Sequence, residues 1–168
     1  MMIDGKTTTR DWQLHAGDIC VLPIGSVEQH SAHLPLLTDV LQAEYFGRMI
    51  AEDLEAALLP VQPYANCLEH SGFRGSVTLR PETLMQIVRD IADEMERQHF
   101  RIMILLNGHG GNFSLVPAVR DINRMDRPLK ILLVNFWEHG DPRLATDSAK
   151  FGAEIHSGEW ETSLMLAL

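Results

Sequence analysis

The sequence predicts an α/β fold, a three-layer α/β/α sandwich with a mainly parallel central sheet. Three observations carry the prediction. Short apolar runs alternate with amphipathic stretches along the chain, and such alternation implies crossover connections between parallel strands. The 168 residues, 45% hydrophobic and 22% charged, suffice for one domain with a real core and are too few to expect two. No repeat, low-complexity tract or linker-like shift in composition divides them, so 1–168 is read as a single domain.

The elements follow in order. Ile19–Ile24 (ICVLPI) reads as a strand, with Pro23 pointing to a sheet margin or a bend. Asp39 to Ala57 places Val40, Ala43, Phe46, Gly47, Ile50, Leu54 and Ala57 at helical spacing, with Glu44, Arg48, Glu52 and Glu55 largely off that stripe. Leu58 to Val61 is a short strand candidate, and PYANCLEHSGFRGSVTL after it has loop character. Pro81 to His99 is a helix with Pro81 in its first turn, Glu82 favouring the dipole and a buried stripe of Leu84, Ile87, Val88, Ile91 and Met95. A buried strand at 102–106, a helix from about Ser114 to Met125, a strand Leu129–Phe136 and an apolar helix within HSGEWETSLMLAL complete the alternation.

Composition excludes several classes. A net charge of −9 without a basic run argues against nucleic acid, because phosphate neutralisation needs clustered Lys and Arg. Cys20 and Cys67 lack metal spacing and make no disulfide framework, which fits a reducing compartment. The N-terminal MMIDGKTTTRDWQLHAGD lacks an apolar signal core, and no apolar run approaches membrane-spanning length. A cytoplasmic protein without membrane partners is the expectation.

Functional groups of such sheets collect at the carboxyl ends of strands, and three ends carry candidates. After the first strand, Glu28 and His30 are two apart and would project to one side of an extended segment, offering an oxygen and a nitrogen ligand. Asp39, nine residues past His30, taken singly reads as a helix N-cap. His33 reads as a packing histidine or one that orients a metal ligand. In NGHGGN, residues 107–112, His109 sits among glycines. The turn alone is undecided between metal, anion binding at a helix N-terminus and a tight turn needing positive φ, although no Lys or Arg lies in it. In HSGEWETS, His156 and Glu159 are three apart and share a helical face, whereas Glu161 points elsewhere, towards backbone or other side chains. Capping by Ser157 with Glu159 and Glu161 in the first turns is the competing reading. Jointly these clusters give a nitrogen and oxygen donor set without thiolate, suited to Zn²⁺, Mn²⁺ or Fe²⁺ and able to fill two adjacent ions if one carboxylate bridges.

Taken together, LPIGSVEQHSAHLPLLTD, SGFRGSVTL, NGHGGN and HSGEWETS resemble, in order, the motifs of the creatininase (creatinine amidohydrolase) family. The resemblance implies an α/β/α layered fold with a dinuclear metal centre at the strand ends. It places Glu28, His30, Asp39 and His109 on metal-ligand positions, with Asp39 bridging, and His156 on a proton-transfer position. It also implies a homo-oligomer, often a hexamer, with sites near subunit contacts. This sequence departs from creatininase proper at Gly111, where that enzyme has a glutamate ligand, and at Glu159, where it has an apolar residue. The combination looks like the formamidopyrimidine deformylase-like and mycofactocin-peptide-processing branches. Glu159 is therefore expected to supply the missing carboxylate. Family members usually continue beyond the ETS motif, so a C-terminal portion is expected to be lacking here.

The expected chemistry is hydrolysis of a C–N bond in an amide, formamide or cyclic amide by a metal-activated bridging water, with His156 protonating the leaving nitrogen. Glu69, His70, Phe73 and Arg74 are expected to wall a small-molecule substrate, with Gly110 and Gly111 letting it approach the metals. Two alternatives accompany this reading. One is ring opening of a keto-cyclitol or related carbohydrate, and the other is an inactive metal-binding homologue. An anion-binding module is a further, minority reading.

Overall fold

Two of the apolar runs, β1 (Ile19–Ile24) and β3 (Ile102–Asn107), lie side by side at the centre of a parallel sheet, Ile19 opposite Ile102 and Ile24 opposite Asn107. In the computed structural model, which describes residues 1–4, 6–138 and 156–168, the sheet order is β2-β1-β3-β4. The edge strands are β2 (Ala57–Leu58) and β4 (Lys130–Asn135), and every pairing is parallel. The N-terminal residues extend the β2 edge, where Ile3 N–H donates to the Leu58 carbonyl at 2.9 Å.

Side chains alternate across β1 and β3, and each face has its own apolar cover. Cys20, Leu22, Ile24, Met103 and Leu105 pack with α3 (Pro81–Arg97) and α4 (Leu115–Asn123) through Leu84, Val88, Leu115 and Ile122. Val21, Ile104 and Leu106 face α2 (Thr38–Asp53) through Ala51, Phe46 and Ile50. These are the three predicted layers.

Several boundaries differ from the sequence reading. The α2 helix stops at Asp53 because Glu55 turns left-handed at φ 52° and Ala57–Leu58 are taken up as β2. That strand is two residues long and ends short of the predicted Val61. Pro23 lies in a central strand, not at a margin. Its neighbours Val21 and Gly25 bond towards the β2 side, where β2 itself has already ended, so the missing Pro23 N–H breaks no ladder. The α3 helix ends at Arg97, with His99 left-handed at φ 69° two residues on. A short helix, α1 (Thr9–Gln13), was not foreseen; a Thr8/Asp11 capping box starts it, and its Trp12 ring lies tilted against Phe100 with centroids 5.8 Å apart. The last element, α5 (Glu159–Ala167), packs beside α2.

Candidate metal centre

The carboxyl ends of β1 and β3 open into the loops that carry Glu28, His30 and His109, and α2 brings Asp39 against both. Glycine permits this approach. A Cβ at Gly108 would lie 2.8 Å from the Ala43 Cβ and 3.0 Å from the Asp39 carbonyl oxygen. Neither Gly108, Gly110 nor Gly111 takes a positive φ, so close approach, not turn strain, accounts for Gly108. The turn is tied down by amides: Asn112 Nδ2 and His109 N–H both donate to Asn107 Oδ1, at 3.0 and 3.2 Å. Asn112 Oδ1 in turn accepts from Asn66 N–H at 3.0 Å.

Asp39 is not the N-cap that its spacing allowed. Leu37 holds that position without a side-chain bond, and the Asp39 carboxylate turns inward, 3% exposed. Its Oδ1 lies 3.1 Å from His30 Nε2 and its Oδ2 3.0 Å from His109 Nδ1. The other nitrogen of each ring faces a main-chain carbonyl: His30 Nδ1–H donates to Glu28 O at 3.2 Å, and His109 Nε2–H to Asn66 O at 2.7 Å. Each imidazole thus turns its second nitrogen towards a different oxygen of one carboxylate. Each of those nitrogens carries a proton when no metal is bound and can exchange it for a metal ion, and a histidine held through its other ring N–H is the arrangement metal ligands adopt. Among the described residues Glu28 Oε1 is also buried without a hydrogen-bond partner, and a divalent ion would supply the missing interaction.

Among the described residues, three groups of side chains stand close enough to hold an ion: Glu28, Asp39 and His109; His30, Asp39 and Glu161; and Glu28, His30 and His156. The predicted Glu28, His30, Asp39, His109 and His156 are brought together. Glu159 is not among them: it is exposed at the first position of α5. Glu161 stands in the cluster instead, its Oε1 3.8 Å from His30 Nε2 while its Oε2 accepts from Ser157 N–H. Residues two apart on a helix lie on nearly opposite sides, and the docking of α5 on α2 turns the Glu161 side inward. His33 helps to fix that docking, with Nε2 3.0 Å from Thr162 Oγ1. The helical face expected to join His156 and Glu159 does not form, because α5 begins only at Glu159 and Ser157 before it turns left-handed at φ 55°.

The remaining candidates border the cluster. His70 Nε2 is 3.4 Å from Glu28 Oε1, and its ring stacks on His156 with centroids 4.4 Å apart. The half-exposed Glu69 carboxylate lies 3.6 Å from His109 Nε2 and fills the space that a side chain at Gly111 would need. None of the described residues lies within 4 Å of a Cβ placed on Gly110, so they leave that edge of the site open.

Electrostatics match an acidic cluster balanced by protons when no metal is bound. Burial pushes Glu28 up to about 7. Burial works against a charge on His30, but Asp39 outweighs it and raises the ring to about 9. His109 is raised in the same way, against the same burial. Burial would raise Asp39, yet the two imidazoles hold it below the usual carboxylate range. Glu161 is raised by burial and by Asp39.

Fold and site define a class: an α/β protein with a carboxylate–imidazole centre for divalent metal at the carboxyl ends of its parallel strands. The chain belongs to the creatininase family, whose model, described as creatinine amidohydrolase, matches residues 6–168. It is 31% identical to the creatinine amidohydrolase of Pseudomonas putida, over 98% of this chain and 70% of that protein. The mycofactocin precursor peptide peptidase of Mycolicibacterium smegmatis is also 31% identical, over 96% of this chain and 62% of its own length. The 3-dehydro-scyllo-inosose hydrolase of Thermotoga maritima is 26% identical, and the chain covers 50% of it. Among solved structures, a zinc–zinc form of a creatininase variant matches with a TM-score of 0.82 at 28% identity, covering 99% of this chain and 72% of that one. A manganese creatininase matches with the same TM-score, 0.82.

Proposed function

We propose that the chain is a metal-dependent hydrolase that cleaves the C–N bond of an amide, formamide or cyclic amide. Glu28, Asp39 and His109 would hold one divalent ion and His30, Asp39 and Glu161 a second, with Asp39 common to both. Zn²⁺, Mn²⁺ and Fe²⁺ all suit this donor set. The observation that carries the reading is the pair of imidazoles, each held to a main-chain carbonyl through one nitrogen, whose other nitrogens face the two oxygens of Asp39. Divalent ions so held lower the pKa of water towards neutrality and polarise a carbonyl.

The chain's own residues supply the rest. His156 Nε2–H donates to the Gln29 main-chain carbonyl at 2.7 Å, which leaves Nδ1 bare and 3.7 Å from Glu28 Oε1. An imidazole so placed takes a proton at Nδ1 and returns it to the leaving nitrogen. The open edge at Gly110 admits the substrate carbonyl, with Glu69, His70 and Gly111 beside it. A homo-oligomer in the cytoplasm belongs to the same proposal. The free thiols of Cys20 and Cys67 support the location, and among the described residues no helix is long and apolar enough to cross a membrane. Light scattering on the purified protein reads the oligomeric state.

A second reading, ring opening of a keto-cyclitol, is favoured by the Thermotoga maritima relative. The test is metal content per chain, followed by a screen of formamides, lactams, short peptides and ketosugars on the zinc- and manganese-loaded protein. Release of formate or amine, lost on chelation and restored by metal, supports the first reading. Turnover of the ketosugar alone supports the second. Bound metal with no turnover of any compound overturns both in favour of a metal-binding homologue without activity.

A further inference from the structure

Gln29 stands between the two candidate ligands Glu28 and His30, yet its side chain points away from the carboxylates to the other imidazoles. Its amide has a determined orientation. Ser31 N–H donates to Gln29 Oε1 at 3.0 Å, from a backbone position held left-handed at φ 57°. The opposite end, Nε2, is therefore the one that meets His70 Nδ1 at 2.9 Å, and it donates there. His70 Nδ1 is then an acceptor, so the ring proton sits on Nε2, which faces the unpartnered Glu28 Oε1 at 3.4 Å. The main chain of Gln29 fixes a second ring, because its carbonyl takes His156 Nε2–H at 2.7 Å. The 3.1 Å approach of Gln29 Nε2 to the same nitrogen cannot also be a hydrogen bond, since both groups carry hydrogen. Gln29 is itself anchored, with its N–H donating to Ser76 Oγ at 2.9 Å.

We propose that Gln29 is a positioning residue that sets the tautomers of two imidazoles: its side chain keeps the His70 proton on Nε2 against Glu28, and its carbonyl keeps the His156 proton on Nε2, leaving Nδ1 bare towards the cluster. The inference rests on the hydrolase reading only for its catalytic meaning; the tautomers are a property of the geometry.

The test is long-range ¹H–¹⁵N correlation of the histidine rings in the zinc-loaded protein, which distinguishes Nδ1–H from Nε2–H. The native protein should show Nε2–H at both His70 and His156. In Gln29→Glu the carboxylate still accepts from Ser31 but offers no N–H to His70, so His70 should gain a proton on Nδ1. His156, held by the main chain, should keep Nε2–H. In Gln29→Met, which presents no donor, the His70 resonances should shift to a mixture of tautomers with His156 again unchanged. Nδ1–H at His70 in the native protein, or an unchanged His70 in both variants, would overturn the proposal. Tautomers as expected in a protein that hydrolyses none of the screened compounds would instead sink the hydrolase reading alone.

Discussion

Glu161 and Glu159 are close in sequence and separated by the fold, so replacing each by glutamine gives opposite expectations. In Glu161→Gln the side chain keeps its size, and the amide oxygen can still accept from Ser157 N–H. What is lost is one negative charge at a position 17% exposed and 3.8 Å from His30 Nε2. Two unit charges about 4 Å apart interact by about 4 kcal/mol at an effective dielectric constant near 20, and a divalent ion doubles that to about 8 kcal/mol. At about 1.4 kcal/mol per tenfold, even half of that sum is about a thousandfold, so the affinity for the second ion should fall at least about a thousandfold. The metal-free variant should be no less stable than the native protein, because removing Glu161 relieves burial of a carboxylate beside Asp39. Competition with a zinc chelator, followed to the stoichiometry of each ion, reads the affinity, and thermal unfolding of the chelated protein reads the stability. Glu159→Gln, at an exposed position, should leave both ions in place. Two tightly held ions in Glu161→Gln, or loss of one in Glu159→Gln, would refute the assignment.

Other expectations concern the same loops. A Cβ at Gly111 would fall well inside contact of Glu69 Oε1 and His109 Nε2, and 2.8 Å from the Asn66 carbonyl oxygen. Gly111→Ala should therefore cost about 1–3 kcal/mol in urea unfolding and weaken zinc binding, whereas Gly110→Ala should do neither. Asn112→Ala strands the Asn66 N–H and takes a donor from Asn107 Oδ1, both buried, and should destabilise the chelated protein by about 2–4 kcal/mol. The chelated protein should lose thermal stability as pH rises from about 4.5 to about 9. Glu28, raised from 4.5 to about 7 by burial, contributes stability that is complete below 4.5 and lost through 7. His30, raised from 6.5 to about 9 against burial by its bond to Asp39, contributes stability complete below 6.5 and lost through 9. Zinc-loaded protein should not follow this fall, because metal binding needs the ligands deprotonated; parallel melting curves with and without zinc would expose the error if both fell alike.

Most of the architecture was legible because it rests on local pattern. Apolar runs bounded by polar loops gave β1 and β3 almost to the residue, and the Pro81 start of α3 needs only the missing proline N–H. Helix ends were less legible, since Glu55 and His99 adopt left-handed backbone without the glycine that usually signals it. The donor types of the site were legible only jointly, because each cluster singly also reads as a cap, a turn or packing, whereas His, Asp and Glu gathered at three strand ends form one nitrogen and oxygen donor set.

What the sequence alone determined, then, is the kind of fold, which follows from the chain's own periodicity, and, through its resemblance to the creatininase motifs, four of the groups around the cluster: Glu28, His30, Asp39 and His109. Only the tertiary structure decided which carboxylate of EWE faces inward. That depends on how α5 rotates on α2, a matter of long-range packing and of the His33–Thr162 contact across 129 positions of sequence. The tautomers were also decided there, because the main-chain carbonyls of Glu28, Asn66 and Gln29 that take the ring protons have no sequence signature. A carbonyl is present at every residue, and only the fold selects the three that orient the imidazoles.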